Sequence, residues 1–151
     1  MLILLFRQPR LNQISTHFSS ECDLNLVEFL QSYILKGYKL IFSRHNPKST
    51  FGYANIEKDK NFGVPGAIWK IKDKHEEILD RSEGVPISYQ QEYLPWKDKK
   101  LLTYIQNIYT KRKPSSDYFH KIILGYKNCG LDLNYLKKRI SYYTISYDIK
   151  W

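Results

Sequence analysis

Two cysteines, one methionine, six prolines and seven glycines are few for 151 residues. Cys22 and Cys129 lie far apart and form no CxxC pair, which argues against a disulfide framework and against a cysteine-based zinc site. His17, His45, His75 and His120 lack metal-ligand spacing, so no metal site is expected. No apolar run approaches the roughly 20 residues of a membrane span. The opening Met1-Leu2-Ile3-Leu4-Leu5-Phe6 is too short for a signal core and meets Arg7 at once. Free thiols in a reducing, cytoplasmic setting and no membrane partner are therefore expected. There is no internal repeat, low-complexity tract or linker, and the length predicts a single domain over 1–151.

What is present is a folded-protein balance, 42% hydrophobic and 26% charged, which excludes wholesale disorder. Thirteen tyrosines stand out among the aromatics, a residue suited to half-buried positions with a polar tip. Lys and Arg number 24 against 15 Asp and Glu, a net charge of +9. That surplus admits nucleic acid, anionic membrane or acidic small molecules as partners. The densest runs, Lys97-Asp98-Lys99-Lys100, Lys111-Arg112-Lys113 and Lys137-Lys138-Arg139, are short and read as solvated faces. They do not interleave with aromatics on one expected face, which disfavours nucleic acid.

Residues 1–6 read as a buried strand, ended by Pro9. Residues 24–33 are ambiguous between strand and helix. Strands are expected at 38–42, 52–56 and 66–71, with a polar turn at 57–61. Asp73 with Glu76 has capping-box spacing for a helix that runs to about Ser82 and stops at Gly84. Residues 88–95 and 101–110 read as strands joined by the charged turn at 97–100. Pro114-Ser115-Ser116 caps a second helix whose Phe119, Ile122, Ile123 and Tyr126 form one apolar stripe. Gly130 closes it, 131–140 form a third helix, and the aromatic tail 142–151 reads as a last strand. The pattern predicts an α+β fold around a mixed or antiparallel sheet, with a closed barrel as one form.

One carboxylate stands out. In Leu79-Asp80-Arg81-Ser82-Glu83-Gly84-Val85, Glu83 follows Leu79 by four residues and so shares its core-facing side if the helix persists. It also sits at the helix C-terminus, where the macrodipole disfavours an anion. Both features work against the ionised form, the condition for a group that takes and returns a proton. The competing reading is an exposed Glu at a frayed helix end.

Four blocks between about Leu35 and Ile140 resemble the gamma-glutamylcyclotransferase family, also called AIG2-like. Leu35-Lys36-Gly37-Tyr38-Lys39-Leu40-Ile41-Phe42 is similar to the strand before its long loop. Gly63-Val64-Pro65-Gly66-Ala67-Ile68-Trp69-Lys70-Ile71 is similar to its "V-x-G-x-x-[YW]-x-[IL]" strand. Residues 79–85 match "LDxxEGV", and Pro114-Ser115-Ser116-Asp117-Tyr118 matches "PSxxY", with Ile122 to Leu133 covering the helix and the "GL" turn after it. The resemblance implies a mixed β-barrel or sheet flanked by helices, and cyclisation of a gamma-glutamyl amine to 5-oxoproline without metal or cofactor. It makes Glu83 the acid/base residue and places Tyr118 and Tyr89 at the substrate cavity. The partner it implies is a small gamma-glutamyl molecule; it carries no oligomeric state.

One block departs from the family. Its "YGSN" loop after the first strand, a source of backbone N–H donors, is replaced by Leu5-Phe6-Arg7-Gln8-Pro9-Arg10. Glycine is absent there and Pro9 removes a donor. Phe6, Arg7 and Gln8 are the substrate-binding candidates at this end. Arginine here could offer a fork to a carboxylate, or simply lie on the surface. Two readings follow: an active cyclotransferase-like enzyme, or a binding protein on the same fold that has lost catalysis.

Overall fold

The computed structural model describes residues 1–6, 28–143 and 149–151. Six strands, β1 (Leu2–Leu5), β2 (Glu28–Arg44), β3 (Tyr53–Lys70), β4 (Gln90–Trp96), β5 (Lys99–Ile105) and β6 (Thr110–Lys111), make one sheet in the order β4-β5-β1-β3-β2-β6. The β1–β5 pair is parallel and the rest are antiparallel. Three helices among the described residues, α1 (Lys74–Glu83), α2 (Ser116–Asn128) and α3 (Leu133–Ser141), cover it. The architecture is the expected α+β one, a mixed sheet curled into a half-barrel.

β1 explains how the layers divide. Its Leu-Ile-Leu-Leu run is buried on both faces, as a central strand covered on both sides requires. Ile3 and Leu5 pack with Leu79 of α1, Tyr89, Leu102 and Tyr104. Leu4 packs on the opposite face with Phe119, Ile122, Ile123 and Tyr126 of α2 and with Leu136 and Ile140 of α3. The stripe expected on α2 is thus the one it buries.

The strands expected at 52–56 and 66–71 are the two ends of β3, and the polar turn expected between them is a bulge inside it. β2 and β3 pair from Glu28↔Lys70 to Ser43↔Tyr53, with residues 59–62 looping out opposite Gly37. Gly37 has φ +83°, a conformation open to glycine. The backbone N–H of Asn61 donates to Asp59 Oδ1, so the polar residues make a local turn without ending the strand. Of the ambiguous stretch, residues 28–33 are strand and 24–27 lie outside the described residues. The expected strand 101–110 is divided between β5 and β6.

Two helix-end expectations are corrected. Asp73 occupies the N-cap of α1 but its side chain makes no capping bond; its carboxylate lies 3.6 Å from the Met1 ammonium. Glu76 accepts from Gln91 Nε2 and Tyr93 Oη instead of closing a capping box. Gly84 ends α1 at φ +69°, with Val85 N–H on the Asp80 carbonyl, as expected of a glycine stop. Ser115 caps α2 by accepting from Tyr118 N–H. In the tail, Tyr142 and Tyr143 form a turn after α3 and residues 149–151 are in no strand, while 144–148 lie outside the described residues.

Candidate active site

β1 is only four residues long, and this makes an opening. It borders β3 from Ala67 to Lys70 and stops, whereas β3 continues toward Tyr53 on the far side of its bulge. Phe42 pairs opposite Ala54, yet both polar groups of Ala54 turn to the other edge of β3, where no strand follows among the described residues. Backbone groups in that position require partners. Tyr118, in the first turn of α2, accepts from Ala54 N–H at 3.0 Å, and Tyr89, from the loop after α1, donates to the Ala54 carbonyl at 2.8 Å. Two phenols thus occupy the place of the missing strand. Tyr53 packs edge-on against Tyr118, with ring centroids 5.2 Å apart.

α1 carries the carboxylate on its buried face. His75, Leu79 and Glu83 are its buried residues, spaced four apart on one face. Glu83 is only 8% exposed, which decides between the two sequence readings: it is not a solvated residue at a frayed end. Leu79 ahead of it lies in the cluster that holds Tyr89 and Tyr104. The charge of Glu83 reaches Tyr104, whose phenol is pushed well up by burial, by its 2.8 Å bond to Asp80, and by the carboxylates of Asp80, Glu83 and Glu76. Asp80 also accepts from Gln91 Nε2, so the acids beside Glu83 are held on the sheet by neutral donors. After the Gly84 stop, Ser88 N–H returns to the Gly84 carbonyl and Ser88 Oγ lies 3.3 Å from His45 Nε2 at the end of β2. These bonds set the loop that delivers Tyr89.

A buried polar group flanks the site. Ser43 Oγ donates to Gln106 Oε1 at 2.5 Å, Asn55 Nδ2 donates to the Gln106 carbonyl, and Gln106 N–H donates to Asn55 Oδ1. All three residues are essentially inaccessible. The sequence reading missed them, although an Asn inside the apolar run Tyr53-Ala54-Asn55-Ile56 was a usable signal.

The structure therefore brings Tyr89 and Tyr118 together on Ala54, and buries Glu83 at the end of α1, on the same helix face as Leu79, which packs with Tyr89. Phe6 is buried, its ring beside Gly66, where a Cβ would meet it at 3.1 Å; it belongs to the core under α2. Arg7 and Gln8 lie outside the described residues. Among the described residues no group of His, Cys, Asp and Glu could hold a metal ion, and no helix is long and apolar enough to cross a membrane.

A curled mixed half-barrel with a short first strand, two tyrosines meeting on Ala54 and a buried glutamate at the end of α1 defines a recognisable class. The chain belongs to the AIG2-like family, whose model matches residues 63–138. It is 30% identical over 114 residues to a gamma-glutamylcyclotransferase of Bos taurus, a match covering 69% of this chain and 61% of that protein. The chain thus spans about three fifths of the curated relative it matches. Among solved structures, a gamma-glutamyl cyclotransferase superposes with a TM-score of 0.70 at 22% identity, covering 99% of this chain and 91% of the other. Protein ytfP of Escherichia coli superposes at 0.52 and 13% identity, over 76% and 93% of the two chains. These superpositions bear on the fold.

Proposed function

We propose that the protein is a cofactor-independent gamma-glutamylcyclotransferase-like enzyme that converts a small gamma-glutamyl amine to 5-oxoproline and the free amine. The observation that carries this reading is the burial of Glu83 at the end of α1, on the motif Glu83-Gly84-Val85 and one turn after Leu79, which packs with Tyr89. In the proposed reaction Glu83 takes a proton from the substrate's α-ammonium. The freed amine attacks the γ-carbonyl and a C–N bond forms. The bond to the leaving amine breaks as Glu83 returns the proton to that amine. The extra proton left on the ring nitrogen then passes through the same carboxylate to the departed amine, giving a neutral amide nitrogen in 5-oxoproline and an ammonium. The substrate supplies its own nucleophile, so holding amine and carbonyl together provides much of the rate. Tyr118 and Tyr89 border the substrate on the Ala54 side. Phe6 supports the end of β1, and Arg7 and Gln8, next in the sequence, are the proposed partners of the substrate's carboxylate. The proposed setting is cytoplasmic.

The test is incubation with a panel of gamma-glutamyl amino acids, dipeptides and polyamines, with 5-oxoproline as the readout. Turnover is expected for at least one, with a loss of about 100-fold or more in Glu83→Gln. Unchanged turnover in that variant overturns the assignment. Binding without any 5-oxoproline supports the second reading, a catalytically degenerate binding protein, which the Arg7-Gln8-Pro9-Arg10 segment favours.

A further inference from the structure

A second site lies on the β2 edge, away from Glu83. Beyond β6, the main chain of β2 is covered by side chains from the end of the fold. Tyr135 Oη accepts from Leu40 N–H, Arg139 Nε donates to the Leu40 carbonyl at 2.9 Å, and Tyr143 Oη accepts from Phe42 N–H. Between this cover and β6 runs a groove of about 790 Å3 that shares no lining residue with the site at Glu83. The basic run 111–113 and Arg139 of the run 137–139, read from sequence as separate solvated faces, meet here with Phe62, Tyr142 and Tyr143 in the same lining.

The charges around the groove do not balance. Lys39 lies 3.1 Å from Glu57 and 3.2 Å from Asp59, and Lys111 lies 2.9 Å from Glu57. Among the described residues those two acids are matched by those two lysines, which leaves Arg112, Lys113 and Arg139 in surplus. Arg139 is the telling one. It is 7% exposed, yet among the described residues it has no carboxylate partner and its only hydrogen bond is through Nε. Its guanidinium carbon lies 5.3 Å from the Phe62 ring centre and 4.8 Å from that of Tyr142. The guanidinium lies against both rings, and Arg139 lines the groove. A buried cation without a counter-charge is costly to keep. A fixed guanidinium fork suits two oxygens of a phosphate, which lysine does not match.

We propose that this groove binds a small di- or trivalent phosphate anion of the diphosphate class, held bidentately by Arg139 and flanked by Arg112 and Lys113. The volume admits a small molecule, and three surplus cations set the ligand charge. The site is independent of the cyclotransferase reading, because Glu83, Tyr89 and Tyr118 are not among the residues that line it.

Calorimetric titration with inorganic pyrophosphate tests it. One equivalent is expected to bind, more weakly as salt is raised. Adenosine diphosphate in a parallel titration distinguishes a free anion from a nucleotide source. Arg139→Lys keeps the charge and loses the fork, and is expected to weaken binding tenfold or more. The exposed pair Arg112→Ser/Lys113→Ser should do the same without disturbing the core, and Glu83→Gln should leave binding unchanged. The proposal is overturned if wild-type protein binds no pyrophosphate at millimolar concentration. It is equally overturned if both groove variants bind like wild type, or if a single-stranded oligonucleotide displaces pyrophosphate and binds far more tightly, which would make the groove a nucleic-acid surface.

Discussion

The side-chain amide of Asn55 pairs with the main chain of Gln106 in both directions, donating to its carbonyl at 3.1 Å and accepting from its N–H at 2.9 Å. Asn55 lies in the first half of β3 and Gln106 just past β5, two strands that β1 separates elsewhere in the sheet. Where β1 has stopped, one amide side chain stands in for it and draws the curled sheet together.

Asn55→Asp tests that role with little change in volume. The new carboxylate still accepts from Gln106 N–H but faces the Gln106 carbonyl with an acceptor. The protein is expected to lose about 2–4 kcal/mol, because one buried bond is lost and a buried carboxylate is set against a carbonyl. Urea unfolding measures this, with the midpoint falling at constant slope. An unchanged midpoint would show that the sheet closes without this pair.

Tyr89→Phe removes the donor to the buried Ala54 carbonyl, and Tyr118→Phe the acceptor for its N–H. Each change is expected to cost about 1–3 kcal/mol. Because both phenols act on one residue, the double variant should depart from additivity. Chemical denaturation of the four proteins gives the coupling, and a coupling of zero would mean that the two phenols act separately.

Gly84→Ala strains a residue at φ +69° and places a methyl 2.6 Å from Ser88 Oγ. A loss of about 1–2 kcal/mol is expected. The readout that matters is turnover, since the same turn sets both Glu83 and the loop to Tyr89. Normal stability and turnover in this variant would show that the turn tolerates an L-residue.

The pH dependence at low pH should be dominated by Glu57. Burial alone would raise its carboxyl, but hydrogen bonds from Lys111, Tyr109 and Lys39 outweigh it and hold the group down at about 2. A lowered carboxyl contributes stability that is complete above its ordinary value of 4.5 and disappears as pH falls toward 2. Partial exposure limits the contribution to about 1–2 kcal/mol. Thermal unfolding of wild type and Glu57→Gln should therefore differ at about pH 6 and converge near pH 2. A difference that persists to the acid end would assign the effect to packing. At the other end of the scale Tyr109, raised to about 12 by burial and then by its bond to Glu57, should ionise late in an ultraviolet titration.

Local chemistry was enough to place several elements. The glycine stop at Gly84, the serine cap at Ser115 and the stripe from Phe119 to Tyr126 each follow from residues within one or two helical turns, and all three are realised. The same holds for the burial of Glu83, which needs only its spacing from Leu79. The bulge at residues 59–62 was read as a turn because a polar Asx segment looks alike in both settings; only pairing with β2, more than twenty residues back in the chain, distinguishes them.

The pattern of apolar residues by itself determined an α+β fold, its main helices and the side of α1 on which Glu83 lies, because those depend on periodicity and on short-range capping. Only the tertiary structure decided that β1 stops short, that Tyr89 and Tyr118 meet on Ala54, that Asn55 reaches Gln106, and that Arg139 is buried opposite Lys111–Lys113. Each of these joins residues about 30 to 65 positions apart through the curl of the sheet. No local propensity encodes such a meeting; it arises when strands of unequal length are rolled together and their unpaired backbone groups must find partners.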